Sequence, residues 1–358
     1  MESMFETYKA SGRFGPLTIP LLIGGIAIAI GLAFVYQLLI EWIPIIYISF
    51  LATLGFGVLL GMIGTGIINI GQCRNVLVGM LIGVVLSLAA VGGKFFFQHQ
   101  RMRTEAEQYM RNELLGVDLA AMLEEQGEAV PEGMDTSEVA DNIVQGFLDE
   151  EVTFAKTIQS RVETGWEIGR RGNGGAPIKG PFVYLIWLIE FGIISYFAVS
   201  ATRGAASEPY SEKLNAWASE AEHVMLLPIT SEEMVSKIKS ATSVEELLEI
   251  PIPETDESMQ FANYTVNSIE GQELEDAYLS VELLTFSVNA KGEQEKNEQS
   301  LVKHAVLSSE QRKQLVENAS LLQEAMADFR QAVEEEENEE EESEEEENGA
   351  EDLAADDE

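Results

Sequence analysis

LTIPLLIGGIAIAIGLAFVYQLLI, from Leu17 to Ile40, is 24 residues without a formal charge. At about 1.5 Å per residue, a helix of that length crosses the roughly 30 Å hydrocarbon core of a bilayer. The run is too long for a cleaved leader and no A-x-A-like site follows it, so it reads as a signal anchor. Three further stretches repeat the pattern. Trp42 to Gly71 carries no charge and exceeds the need of one crossing, which implies tilt or an interfacial first turn around Pro44. Val76 to Phe97 carries only Lys94, and Phe182 to Ala201 only Glu190. One such run has the core helix of a soluble protein as its ordinary explanation; four of them point to a bilayer.

The connections set the topology. About one residue, Glu41, separates the first two stretches, and about Gln72 to Asn75 the next two, so both pairs are helical hairpins. Four crossings place both termini on one side and the 98–180 loop on the other. Flanking cations do not orient the bundle. One face carries Lys9, Arg13, Arg74, Arg203 and Lys213, and the other Arg101, Arg103, Arg111, Arg170, Arg171 and Lys179. Five against six gives the positive-inside rule nothing to act on. Cytoplasmic termini are the expectation, because a long acidic tail then need not be translocated.

Gly57 and Gly61 in the second stretch, and Gly79 and Gly83 in the third, recur at four-residue spacing. Small residues so placed let helix backbones approach closely. Packing within the chain is the expected use; a face for a second copy is the alternative.

The soluble segments read differently. Between the third and fourth stretches, Gln100–Leu115 and Ser137–Val162 look helical, the latter with Val139, Ile143, Phe147, Phe154 and Ile158 near one stripe. Gly127 to Gly133, with Pro131, separates them. After Ala201, Thr230-Ser-Glu-Glu233 and Thr242-Ser-Val-Glu245 fit capping boxes that open short helices. Phe261–Ser268, Tyr278–Val288 and a segment near Leu301–Leu307 read as strands, with Asn289 to Gly292 as a turn. Ser308 starts a helix with Leu315, Ala319, Leu322, Met326, Phe329 and Val333 on one stripe, expected to dock on the sheet. The predicted fold is therefore a mainly α-helical polytopic membrane domain of about four transmembrane helices, a small soluble α+β domain and a disordered acidic tail. The boundaries are an N-terminal tail 1–16, three crossings within 17–97, a loop 98–180, a fourth crossing 181–201, the soluble domain 202–333 and the tail 334–358.

Charge narrows the partners. The chain has a formal net charge of -39; residues 334–358 hold 17 acidic and no basic side chains, and without them -22 remains. Affinity for phosphate backbones comes mostly from Lys and Arg, so nucleic acid is excluded. Basic protein partners, reached through the C-terminal domain or the tail, fit better. A single cysteine, Cys73, rules out an intrachain disulfide and a cysteine-based zinc site.

Glu190 is the sharpest single feature, because a carboxylate near mid-bilayer costs several kcal/mol unless paired, wet or protonated. It suits an ion or proton site, or a polar contact that locks helices. If the last crossing starts near Pro181, Glu190 lies about 13 Å below that surface and Lys94 about 6 Å below it. Side chains lean toward the N-terminus of their own helix, and these helices run antiparallel, so a Lys94–Glu190 pair is geometrically feasible. Snorkelling of Lys94 to the headgroups is the competing picture.

Gly165-Trp-Glu-Ile-Gly-Arg-Arg-Gly-Asn-Gly-Gly-Ala-Pro-Ile-Lys-Gly180 precedes the last crossing. Its glycines with Arg170, Arg171 and Lys179 suit an anion or lipid headgroup; a flexible basic collar anchored by Trp166 is the plainer reading. It is not a P-loop, lacking G-x-x-x-x-G-K-[ST] and a preceding strand. Together with Trp187-Leu-Ile-Glu190, this stretch resembles a group of bacterial multi-pass membrane proteins of unknown activity. The resemblance covers the hydrophobic half and implies a bacterial inner membrane but no activity. Paired cysteines often follow the last crossing in that group; Pro209 to Trp217 has none, so a metal site there is not expected.

No catalytic constellation is visible. His99, His223 and His304 are scattered without metal-ligand spacing, no G-x-S-x-G elbow occurs, and no cofactor is implied. The reading that results is a membrane-anchored interaction or scaffold protein, with a small transporter or channel subunit using Glu190 as the alternative, in either case with a homo-oligomer open.

Overall fold

The computed structural model describes residues 6–42, 46–114, 136–165, 178–218, 220–250, 259–269, 277–288 and 294–320. The chain divides into two units: Ala10–Ser207, and Glu208–Glu358 together with Met1–Lys9.

The first unit is helical: α1 Thr18–Trp42, α2 Ile46–Gly71, α3 Val76–Leu114, α4 Thr136–Glu151, α5 Phe154–Thr164 and α6 Pro181–Ser207. Among the described residues, four helices (α1, α2, α3 and α6) are long and apolar enough to cross a membrane. Many of their large side chains point outward: Ile19, Ile23, Phe50, Leu77 and Leu188 are each more than half exposed.

α3 continues where the sequence predicts two helices. Gln98, His99 and Gln100 include no Gly or Pro to stop it, and the Arg101–Glu105 and Glu107–Arg111 pairs, at four-residue spacing, support the extension. The predicted Ser137–Val162 helix is instead two, because Thr153 breaks it and caps α5 by accepting from Lys156 N. α4 runs antiparallel to the α3 extension, held by Arg103–Asp149 and Arg111–Asp141 at 2.6 Å and by Val144, Leu148 and Val152 against Met102, Ala106 and Met110. The predicted Val139 is buried, but from there the buried stripe of α4 runs through Val144 and Leu148, one residue later than the predicted Ile143 and Phe147; Phe147 is exposed, as is Phe154 on α5. One residue is about 100° of helix rotation, and the bulky aromatics are the ones turned out of the Met-lined groove.

The second unit is a four-stranded antiparallel meander, β3 Glu220–Pro228, β4 Gln260–Ser268, β5 Ala277–Val288 and β6 Gln294–Leu307, preceded by the hairpin β1 Tyr210–Ser211 and β2 Ala216–Trp217. Helices α7 Glu232–Ser240 and α8 Val244–Leu248 lie between β3 and β4 in the chain. Residues 309–320 form α9. The core joins Leu227, Ile238, Leu247, Tyr264, Val266, Leu279 and Val281 with Leu315 and Ala319 of α9, so the described part of α9 docks on the sheet. Leu322, Met326, Phe329, Val333, the acidic tail and the turn at Asn289 to Gly292 lie outside the described residues.

The caps differ from the prediction by one residue. Ser231 and Ser243, not Thr230 and Thr242, accept from Met234 N and Glu246 N. Thr242 is tied from outside instead, its amide donating to Glu246 Oε2 at 2.6 Å. Ser308 opens α9 in a reciprocal box with Gln311. β3 is absent from the sequence reading because a bulge between His223 and Met225 buries Val224 and Met225 side by side and destroys the two-residue alternation.

The stretch 1–16, expected as a tail, is divided between the units. Thr7 bridges Ala305, Tyr8 N donates to His304 O and Val306 N to Glu6 O, each at 2.8 Å. The Tyr8 ring meets Tyr278 edge-on at 5.5 Å. β6 would otherwise present a bare edge, with unmatched N–H and C=O groups.

Candidate functional site: an ion pair among the apolar helices

α6 lies in close contact with both α2 and α3, and glycine is the reason. A Cβ on Gly57 would stand 3.2 Å from Ile194 Cα, and one on Gly61 2.9 Å from Ala201 Cβ. On α3, a Cβ on Gly79 would stand 2.8 Å from Ala206 Cβ and one on Gly83 2.8 Å from Val199 Cα. All four predicted packing glycines therefore face α6 of the same chain. From the Gly83–Val199 approach, Lys94 is 11 residues along α3 and Glu190 is 9 residues back along α6. At about 1.5 Å per residue these distances bring both side chains to one level.

The structure brings the two together. Lys94 Nζ donates to Glu190 Oε1 at 2.5 Å and to Oε2 at 2.7 Å, and both side chains are largely buried. Tyr36 of α1 donates to Oε1 at 2.5 Å, and its hydroxyl lies 2.8 Å from Thr53 Oγ1 of α2. Each hydroxyl has one proton. With the Tyr36 proton on Glu190, Thr53 is the donor of the second contact, sharing its proton with Ser49 O at 2.9 Å. The Tyr36 ring stacks on Phe56 at 4.5 Å, and Lys94 Nζ stands 5.4 Å from its centroid. The Glu190 carboxylate thus accepts three charge-assisted bonds, and all four apolar helices meet at this cluster.

Tyr36 and Thr53 are the members that sequence reasoning missed. Tyr36-Gln37 is the lone aromatic–amide step within the first apolar stretch, and a buried phenol usually finds a hydrogen-bond partner. Which partner is a three-dimensional fact.

Of the predicted anion contacts, Lys179 is exposed, and Arg170 and Arg171 lie outside the described residues, as does Trp166. The ends of the Gly-rich stretch are described. Gly165 adopts φ +78°, where a Cβ would strike the backbone of Ile178, and Gly180 N donates to Val162 O at 2.9 Å. These contacts fasten the end of α5 to the start of α6.

The histidines are apart. His99 contacts Thr157 Oγ1 at 2.9 Å, His223 contacts Asn263 and Thr265 at 3.3 Å, and His304 contacts Ser280 Oγ at 3.2 Å. Burial, then the charge of Lys303, pushes His304 down to about 4. Among the described residues, no three His, Cys, Asp or Glu side chains cluster as a metal would require.

Compared with protein-family models, curated proteins and solved structures, the chain matches none. Its chemistry has to be read from its own geometry.

Proposed function

We propose that the chain is a multi-pass membrane protein whose four apolar helices hold an acidic α+β domain at the bilayer surface for interaction with another protein. The observation that carries the membrane half is the outward display of large apolar side chains on α1, α2, α3 and α6, which water would not tolerate over so large an area. Topology supports it. Residues 6–8 pair with β6, so the segment before α1 and the domain after α6 share one side, as an even number of crossings demands. Cytoplasmic termini and a bacterial inner membrane complete the reading.

The interaction half is supported by the soluble unit having its own core and by a formal charge of -39, which favours basic protein partners. The state of Glu190 favours anchoring over transport. A carboxylate that already accepts from Lys94 twice and from Tyr36 is a lock between helices, where a carrier site would leave ligand positions open.

The experiment uses the full chain in its native membrane. Reporters in the 98–180 loop and at the C-terminus should report opposite sides. Cross-linking should then recover one protein in stoichiometric yield, and less of it from a chain cut after Val333. Ion flux in liposomes that is abolished by Glu190→Gln would replace the anchor reading with a transporter. A purified chain that stays monodisperse without detergent would remove the membrane reading altogether.

A further inference from the structure

α2 and α6 run parallel, and glycine lets them close on each other over only part of their length. Gly57, Gly61 and Gly64 of α2 face Ile194, Ala201 and Thr202 of α6. About one turn before Gly57 the same face of α2 carries Thr53, and about two turns before it Phe50, level with Glu190 and Ile186 of α6. Side chains of that size hold the backbones apart, and a cavity of about 380 Å³ opens there. That volume falls within the roughly 300–1,000 Å³ of small-molecule sites. Phe50, Ile186 and Ile189 wall it, and Phe50 and Ile189 are themselves more than half exposed on the outside of the helices. The cavity therefore reaches the outer surface of the helical unit between α2 and α6, the surface that a bilayer would cover.

The polar lining at the level of Thr53 is Tyr36, Lys94 and Glu190. Arg161 lines the cavity as well, but from α5; the Gly180–Val162 hydrogen bond sets it where α6 begins, whereas Glu190 is nine residues further along, about 13 Å deeper. At the inner end the charges cancel, because Lys94 and Glu190 form one ion pair with Tyr36 donating to the carboxylate. A charged occupant would meet no counter-charge there. One donor is left over. An ammonium has three N–H groups, and two of them go to Glu190 Oε1 and Oε2. Among the described residues no oxygen or nitrogen accepts the third; Nζ instead stands over the rings of Tyr36 and Phe95, 5.4 and 5.8 Å from their centroids. A charged donor buried without an acceptor costs free energy, which an incoming oxygen recovers.

We infer that this cavity binds a neutral, largely hydrocarbon molecule through a single oxygen, which accepts the third Lys94 proton while the hydrocarbon lies against Phe50, Ile186 and Ile189. The apolar walls supply most of the contact, and the one ammonium proton supplies the selection for an oxygen. Entry is sideways from lipid, between α2 and α6. A phospholipid does not fit the inner end, because its charged head would have to sink about 13 Å below the start of α6. A hydroxyl and a carbonyl share the required chemistry. The site rests on the membrane reading, and the test below separates the failure of one from the failure of the other.

Trp187 lines the cavity and is one of four tryptophans, so replacing Trp42, Trp166 and Trp217 with Phe makes it the reporter. The full chain is reconstituted in phosphatidylcholine vesicles and titrated with brominated probes of equal chain length: an alkane, a ketone and a primary alcohol. Quenching should reach half-maximum at roughly ten-fold lower mole fraction for an oxygen-bearing probe than for the alkane, the effect of one hydrogen bond to a charged group. Preference for the ketone identifies a carbonyl, for the alcohol a hydroxyl, and for both alike an acceptor of either kind. Lys94→Met combined with Glu190→Met replaces the pair with apolar groups; the alkane should still quench and the preference should vanish. Ile186→Phe should fill the cavity and raise the half-maximal mole fraction of the preferred probe several-fold, which reads the site even if the double variant does not fold. A second reporter, Leu77→Trp with Trp187→Phe, stands on an exposed face of α3 and should show no preference. Equal quenching of Trp187 by all the probes, a preference that survives the double substitution or is unmoved by Ile186→Phe, or the same preference at position 77 means partition into boundary lipid only and overturns the site. In each of those cases quenching at position 77 leaves the membrane reading standing. No quenching at either position removes the site and the membrane reading together.

Discussion

The two units of this molecule solve the packing problem in opposite ways. In the sheet unit, Leu227, Tyr264, Leu279 and Val281 are turned inward and essentially sealed, and hydrophobic burial does the holding. In the helical unit, large side chains such as Ile23, Leu77 and Leu188 face out, and α6 meets its neighbours through Gly57, Gly61, Gly79 and Gly83. Lipid tails are as apolar as leucine, so helices in a bilayer gain little from burial and must rely on close van der Waals approach and polar contacts. In the bilayer setting proposed above, the Lys94–Glu190–Tyr36 cluster is to the helices what the apolar core is to the sheet. The comparison also explains where charge is spent: one largely buried pair inside the helices, and an acidic surplus on the rest of the chain.

The contrast breaks most visibly at the ion pair. Lys94→Glu sets two carboxylates face to face, and the thermal midpoint in detergent should fall by the equivalent of about 3–5 kcal/mol. The exchange Lys94→Glu with Glu190→Lys should recover most of that loss. A double variant as unstable as the two single reversals added together would show that the pairing contributes nothing.

Glycine sharpens the same comparison with a smaller effect. Gly83→Ala forces a Cβ to within 2.8 Å of the α6 backbone, at a cost of about 1–3 kcal/mol, because a whole helix must shift. Gly24→Ala meets nothing within 4 Å and should stay within about 0.5 kcal/mol of the wild type. Equal costs at the two positions would mean that close approach of α6 is not what the glycine serves.

The smallest effect tests the sheet unit. His304 sits at φ +51° in β6 with its folded pKa near 4, below the ordinary value of 6.5. The unfolded chain therefore binds the extra proton first. Its stabilising contribution is fully present above about pH 6.5 and is lost as pH falls toward 4. His304→Asn tolerates the same backbone conformation without titrating. Between pH 7 and pH 5 the wild-type unfolding midpoint should drop by about 2–4 °C more than that of the variant; parallel curves would place the titration elsewhere.

Much of this was legible in order along the chain. Four long apolar stretches, two without a charge and two with one each, specify four long apolar helices, since length and composition are local properties. The strands at β4 and β5 and the second half of β6 were legible from β-branched and aromatic content, whereas the polar first half of β6, Gln294 to Ser300, was not. β3 was not, because a bulge sets Val224 and Met225 out of alternation. The continuity of α3 and the one-residue shift of the α4 stripe also escaped, since both depend on what packs alongside.

The candidate site divides in the same manner. Glu190 and Lys94 stand out as lone charges in apolar runs, and helix rise alone puts them within reach of each other. Tyr36, Thr53 and Arg161 come from other helices, and nothing in their local sequence says that they converge. By itself the sequence determined the number and length of the apolar helices, the charge balance and the presence of a lone lysine and a lone glutamate in two of the apolar runs, because each depends on neighbours in the chain. Only the tertiary structure decided that residues 6–8 complete the sheet and that Tyr36 reaches Glu190. Both arise from contacts between segments more than a hundred residues, or several helices, apart, and such contacts leave no periodicity behind to be read.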